Sequence, residues 1–178
     1  MTHPAPLRLR LDGDALASNW RWLNAASGGS ACGAAVKANG YGLGAVEVVK
    51  RLAAAGCRDF FVATWAEALE VEPHLPEGAG LSVLHGVRAE DMDVATTSRA
   101  RPVLNSAEQV ARWQGTGLPC DVMVDTGMNR LGLTGAEDLS GLTVDTLLSH
   151  LASADEDVAQ NARQLEAFRA LAGKVSAK

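Results

Sequence analysis

The chain is short of cysteine, of excess positive charge and of long apolar runs, and each shortage removes a class of function. Its three cysteines, Cys32, Cys57 and Cys120, are odd in number, far apart and set among apolar or small residues. That pattern suits buried thiols and argues against a disulfide framework or a zinc site. Sixteen Lys+Arg against 21 Asp+Glu give a net charge of −5, and the positive residues gather into no stripe, so nucleic acid is not expected as a partner. No apolar run approaches the roughly 18 residues that a bilayer span requires, and the charged, proline-bearing start Met1-Thr2-His3-Pro4 is not a secretory signal. A membrane is therefore not expected either, and the expected compartment is the cytoplasm. What the chain does have is a core: 47% hydrophobic residues in 178 suffice for one domain and are too few for two ordinary ones.

Apolar or β-branched runs recur at intervals of about 20 to 26 residues with helix-like segments between them, the signature of βαβ units and a parallel sheet. The expected class is α/β. The expected strands are Cys32–Lys37, Phe60–Thr64, Leu81–Leu84, Pro102–Asn105, Asp121–Asp125 and Thr143–His150, dense in Val and Leu because parallel strands are covered on both faces. Expected helices are Ala45–Ala55, stopped by Gly56; Ala66–Val71, ending before Pro73; and Ser106–Gln114, with Ser106 as N-cap and Gln109 three residues on. In Val158–Val175 a stripe of Leu165, Phe168, Leu171 and Ala172 predicts a helix with one apolar face. The amino end differs: Leu7-Arg8-Leu9-Arg10-Leu11 alternates strictly, as a strand wet on one face does, before a helix that begins near Asp14.

Six such repeats fit either an open doubly wound sheet or about six of the eight units of a TIM-type (β/α)8 barrel. The polar residues decide in favour of the barrel. Lys37, Trp65, Asn105, Asp125 with Arg130, and His150 each end or follow a different strand, whereas an open sheet concentrates its site at one switch point.

Three segments carry the chemistry. Ala34-Ala35-Val36-Lys37-Ala38-Asn39-Gly40-Tyr41-Gly42-Leu43-Gly44 puts a lysine at the end of a buried strand, where desolvation favours the neutral amine that forms imines with carbonyl compounds. A lysine that snorkels out at the strand end is the plain alternative. The alternating glycines let backbone approach an anion, but they match neither a dinucleotide fingerprint nor a Walker loop. Asp121 to Gly132 is a second strand, ending in a glycine-punctuated turn in which Arg130 offers a planar fork to a carboxylate or phosphate and Asp125 caps the turn. Ser149-His150-Leu151-Ala152-Ser153-Ala154-Asp155 sets a histidine at the end of the sixth strand, either packed structurally or lying on a flat cofactor. His3, His74 and His85 add no metal-like spacing to it, so no metal is expected.

Together these segments resemble the alanine racemase family, pyridoxal-phosphate enzymes built on an eightfold α/β barrel with an additional β domain. Ala35 to Gly44 looks like the family's cofactor-lysine signature, Asp125 to Gly132 like its arginine loop, and Ser149 to Asp155 like its histidine strand, in the family's order. The resemblance implies that Lys37 forms the imine with pyridoxal 5′-phosphate and moves protons at one face of the alanine α-carbon. It implies that Tyr41 binds the cofactor phosphate, that Arg130 orients the cofactor's phenolic oxygen and the substrate carboxylate, that His150 lies against the pyridine ring, and that Leu84 lines the pocket. The implied activity is interconversion of L- and D-alanine for peptidoglycan precursor supply.

Two departures accompany the resemblance. Where the family often has a carbamylated lysine that holds the arginine, this chain has Met123. The chain also stops at Lys178, before the family's last two barrel strands and its β domain, and its single tyrosine leaves no second base for the opposite substrate face. The resemblance therefore implies an amino-terminal piece, inactive by itself, that works with a carboxyl-terminal fragment of the same enzyme in a homodimer, with residues 1–11 pairing as a strand with the β domain. Three other readings stay open: a single-domain pyridoxal-phosphate carrier protein without racemase activity, a related serine or lysine racemase, and a structural fragment without enzymatic function.

Overall fold

Six short strands form one all-parallel sheet in strict chain order: β1 Ala34–Ala35, β2 Asp59–Val62, β3 Gly80–Val83, β4 Arg101–Leu104, β5 Pro119–Met123 and β6 Thr143–Leu148. A doubly wound sheet reverses its order at a switch point; an unbroken sequence of parallel neighbours is the layout of consecutive barrel units. The computed structural model describes residues 7–173, and among them no pairing joins β1 to β6. The chain is thus six βα units of a TIM-type barrel with two sheet edges.

Five helices stand where the patterning predicts, and two short ones, Lys37–Tyr41 and Met92–Ala95, are not predicted by it. They are α1 Gly13–Ala26, the one-turn element α2 Lys37–Tyr41, α3 Ala45–Ala55, α4 Trp65–Val71, α5 Met92–Ala95, α6 Ala107–Trp113 and α7 Ala159–Ala172. The Asp12 carboxylate caps α1 at the Ala15 N–H, Gly56 ends α3 in the left-handed region, and Ser106 caps α6 at the Gln109 N–H. The Gln109 side chain reaches one residue further back than a capping box requires, accepting from the Asn105 N–H at 2.8 Å. Residues 124–142, between β5 and β6, contain no helix. Gly127, Gly132, Gly135 and Gly141 all take positive φ there, and the segment is held instead by the Gln114 amide, which donates to the carbonyls of Asp138 and Ser140.

Three further expectations need correction. The strands stop short of the polar residues assigned to their ends: β1 covers only two residues of Cys32–Lys37, β5 ends at Met123 and β6 at Leu148. Past β1 the backbone turns left-handed at Ala38, and past β5 the Asp125 carboxylate accepts from three local N–H groups, so neither segment continues along the ladder. In α7, Gln164 is buried and Phe168 and Leu171 are half-buried, while Leu165 is 46% exposed, so the inward face is rotated from the predicted stripe. Val175 lies outside the described residues. Of the amino-terminal strand expected to pair with a β domain, residues 1–6 lie outside the described residues, and residues 7–11 pair with nothing among them, with Leu7 and Leu9 85% and 72% exposed. Cys32 is only half-buried, whereas Cys57 and Cys120 are fully buried, and burial pushes the Cys120 thiol up to about 12.

The core runs along both faces of the sheet, with Val36, Phe60, Val62, Val83, Leu104 and Val122 excluded from water. Full burial of one such side chain stabilises the fold by about 1.5–3 kcal/mol. One polar cluster crosses it: Asp121, fully buried in β5, accepts from Ser82 Oγ and the Thr146 N–H and lies 3.4 Å from Arg101 Nε. Burial raises the Asp121 pKa, the Ser82 and Arg101 contacts opposing the rise. Among the described residues no helix is long and apolar enough to cross a membrane.

Candidate active site

At the carboxyl ends of the strands a cavity of about 450 Å³ is lined by Lys37 and Tyr41 after β1, Leu84 after β3, Met123 at the end of β5, Arg130 in the loop that follows, and His150 after β6. Its volume lies in the range of small-molecule and cofactor sites. Every residue assigned a role in the sequence, Lys37, Tyr41, Leu84, Arg130 and His150, lines this one cavity. Trp65, Asn105 and Asp125 do not. They hold strand ends instead: Trp65 Nε1 donates to the Gly86 carbonyl, Asn105 Nδ2 to those of Leu84 and Val103, and Asp125 organises the arginine loop.

Lys37 emerges where the chain reverses hand. Val36 makes the last ladder bond, its N–H donating to the Phe61 carbonyl at 2.8 Å; then Ala38, Asn39, Gly40 and Tyr41 take φ of 51°, 52°, 62° and 55°. Left-handed helix costs an L-residue about 1–2 kcal/mol, so the non-glycine positions Ala38, Asn39 and Tyr41 store strain that surrounding contacts must offset. Asn39 supplies two of them: its Oδ1 accepts from the first N–H of α3, at Ala45, and its carbonyl accepts from the Gly44 N–H, each at 2.9 Å. Gly40 suits a close approach, since a Cβ there would lie 3.2 Å from the Ala45 backbone, a tight contact. The outcome is a half-buried lysine beside an exposed Tyr41, both turned toward the cavity.

The arginine loop closes on itself. The Asp125 carboxylate accepts from the N–H groups of Gly127, Met128 and Asn129 at 2.9–3.1 Å, bonds that hold its pKa below the usual carboxylate range. Downstream, Leu133 returns to the strand end in a parallel bridge to Val124, its N–H donating to the Met123 carbonyl at 2.8 Å and its carbonyl accepting from the Asp125 N–H at 3.0 Å. Arg130 stands exposed on this closed loop. Met123, an uncharged side chain only 7% exposed, lines the cavity from the strand end below it.

His150 Nδ1 lies 2.8 Å from the Leu151 carbonyl, which can only accept, so this contact places a ring hydrogen on Nδ1. The histidine segment and the arginine loop are joined by a residue that the sequence reading passed over. Gln164 of α7, 2% exposed, accepts from the Ala152 N–H at 2.9 Å and donates to the His150 carbonyl at 3.0 Å and to Thr126 Oγ1 at 3.2 Å. The available signal was a polar residue one turn before Phe168, on what had to be an inward face. His85 was also passed over; it lines the cavity beside Leu84, with Nε2 3.2 Å from Asp91 Oδ2. Arg88 holds that aspartate with a two-pronged contact and lowers its pKa to about 2.

Comparison with known proteins gives the family. The family description "Alanine racemase, N-terminal domain" matches residues 11–178. The alanine racemase of Acidiphilium cryptum is 41% identical, over 98% of this chain and 52% of its own length, and that of Rhodospirillum rubrum 43%, over 93% and 49%. Among solved structures, the alanine racemase of Bartonella henselae, crystallised with covalently bound pyridoxal phosphate, superposes with a TM-score of 0.86 at 33% identity, over 92% of this chain and 50% of that one. The chain spans about half the length of the curated relatives it matches.

Proposed function

Because the chain belongs to the alanine racemase N-terminal domain family, we propose that it is the cofactor-bearing part of a pyridoxal 5′-phosphate enzyme that interconverts L-alanine and D-alanine. The observation that carries this reading is the meeting of Lys37, Tyr41, Arg130 and His150, from three separate strand ends, on one cavity. The residues fit the cofactor: an amine for its aldehyde, a phenol and a guanidinium for its anionic groups, and an imidazole for its flat ring. When bound, pyridoxal phosphate supplies the electron sink that stabilises negative charge on the alanine α-carbon.

The chain's own groups then bind, orient and move protons. Lys37 anchors the cofactor through Nζ and exchanges a proton at one face of the α-carbon. Tyr41 donates its hydroxyl hydrogen to the phosphate, and Arg130 spans the cofactor's phenolic oxygen and the substrate carboxylate. His150 backs the pyridine ring and Leu84 closes the pocket beside it. Inversion by two bases requires a second donor on the opposite face; the resemblance implies a tyrosine for that role, and Tyr41, the single tyrosine here, is already read as the partner of the phosphate. That donor comes from outside this chain: from a carboxyl-terminal part, and from a second subunit if the enzyme is a homodimer. The arginine and the histidine on the cavity favour the racemase over a cofactor carrier, and the expected setting is cytoplasmic supply of D-alanine for peptidoglycan.

Borohydride reduction after incubation with pyridoxal phosphate, followed by intact and peptide mass analysis, tests this reading. A pyridoxyl adduct on Lys37, lost in Lys37→Ala, with alanine racemisation when the carboxyl-terminal half is supplied, is the expected result. An adduct confined to other lysines, or racemisation by this chain alone, overturns it.

A further inference from the structure

We propose that Glu67, which does not line the cavity, is a positioning residue that sets the direction of Lys37 by clamping the peptide that follows it. The proposal rests on the reading of Lys37 as the cofactor lysine. Glu67 sits in the first turn of α4, one βα unit away from Lys37, and its carboxylate is divided between two strand ends. Oε2 accepts from the N–H groups of Ala63 and Thr64, at 2.6 and 3.1 Å, beyond the end of β2. Oε1 accepts from the Ala38 N–H, at 2.7 Å, beyond the end of β1.

Helix capping accounts for only part of this. The Thr64–Glu67 capping box needs the bond to the Thr64 N–H and the return bond from the Glu67 N–H to Thr64 Oγ1. The bond to Ala38 is surplus to α4, and it falls at the point where the chain turns left-handed. The Ala38 N–H belongs to the peptide joined to Lys37, so holding it fixes ψ of Lys37. It also satisfies a first-turn donor that has no acceptor within the turn itself. The ladder bond at Val36 fixes the strand side, and the contacts of Asn39 and Gly40 fix the far side. The Lys37–Ala38 peptide between them is held by Glu67.

The test compares Glu67→Gln with Thr64→Ala in the full-length protein. An amide has one acceptor oxygen and one NH2 group, so Glu67→Gln must present a donor to either Ala38 or the Ala63–Thr64 pair and cannot keep both sets of bonds. Thr64→Ala weakens the α4 cap and leaves the carboxylate on Ala38. Losing a hydrogen bond to a charged acceptor corresponds to about a tenfold effect or more. Borohydride trapping of pyridoxal phosphate on Lys37 is therefore expected to be about tenfold slower in Glu67→Gln, with a shifted imine absorbance, and close to wild type in Thr64→Ala. Equal trapping in all three proteins, or equal slowing in both variants, overturns the proposal.

Amide hydrogen exchange in the unmodified protein supplies a second readout that requires neither a variant nor the cofactor. Ala38 is exposed, yet its N–H is expected to exchange slowly; exchange at the rate of a free amide overturns the clamp. A wild-type protein that traps no cofactor on Lys37 while protecting Ala38 overturns the cofactor reading, and the two failures are thereby told apart.

Discussion

Replacing Gly132 with alanine puts a methyl group where the arginine loop touches its own strand. Gly132 has φ +129°, and a Cβ there would lie 2.5 Å from Asp125 N, 2.7 Å from the Val124 carbonyl carbon and 3.1 Å from Asp125 Cα. All three atoms are backbone, so no side chain can swing aside. Reaching an ordinary contact of 3.4 Å requires the two segments to part by 3.4 − 2.5 = 0.9 Å. The bridge they form has N···O distances of 2.8 and 3.0 Å, and both bonds lengthen past usefulness under such a shift. Two lost bonds at about 0.5–1.5 kcal/mol each, added to about 1–3 kcal/mol for a disfavoured backbone, predict a loss of about 2–6 kcal/mol. Gly78→Ala is the control: φ is +75° with nothing within 4 Å of the new Cβ, so it carries only the conformational part. Urea unfolding followed by far-ultraviolet circular dichroism measures both. If Gly132→Ala costs no more than Gly78→Ala, the close approach is not what holds the loop, and the account of Arg130 presentation fails with it.

Further outcomes follow from the same contacts. Gln164→Leu strips the Ala152 N–H, the His150 carbonyl and Thr126 Oγ1 of a partner and is expected to destabilise by about 1.5–4.5 kcal/mol, three lost bonds at about 0.5–1.5 kcal/mol each; a thermal melt unchanged from wild type would refute the strut. Of the three thiols, only half-buried Cys32 should react with an aromatic disulfide reagent in the folded protein, and three adducts without denaturant would contradict the burial of Cys57 and Cys120. Arg88 depresses the Asp91 pKa from 3.8 to about 2, so the pair stabilises the fold fully above pH 3.8 and loses that contribution as the pH falls through 2. Asp91→Asn should flatten the acid limb of stability between pH 4 and 2; an identical limb in both proteins would rule the pair out as its source.

Much of the barrel could be read from the chain because its signals are local. Val- and Leu-rich runs separated by capped helices, with Gly56 and Ser106 at their stops and starts, appear where pattern and propensity agree. At strand ends the sequence offered Lys37, Arg130 and His150, which line one cavity, and equally Trp65, Asn105 and Asp125, which do not; Tyr41 and Leu84 came from the family resemblance alone. The rest depended on tertiary geometry. The left-handed turn at Ala38–Tyr41 contains three residues whose own preference is right-handed, so only the contacts of Glu67, Asn39 and Gly40 reveal it. Gln164 shares the face of Phe168 and Leu171, four and seven residues on, but a pattern that counts only apolar residues passes over a glutamine there. The missing helix before β6 is replaced by side chain to backbone bonds from Gln114, twenty-odd residues away, which spacing alone does not encode.

The cavity also bears on the sheet's open edges. Lys37 follows β1 and His150 follows β6, the two outer strands, and among the described residues no ladder bond joins those strands. Across the four strands between them, the accumulated curl sets how the two groups face each other over the cavity. A small molecule gripped from both sides ties the first described strand to the last. Curvature and occupancy then become one equilibrium: a ligand at one hundred times its Kd adds about 2.7 kcal/mol to the folded state, and any strain that flattens the sheet weakens the ligand's hold by the same linkage.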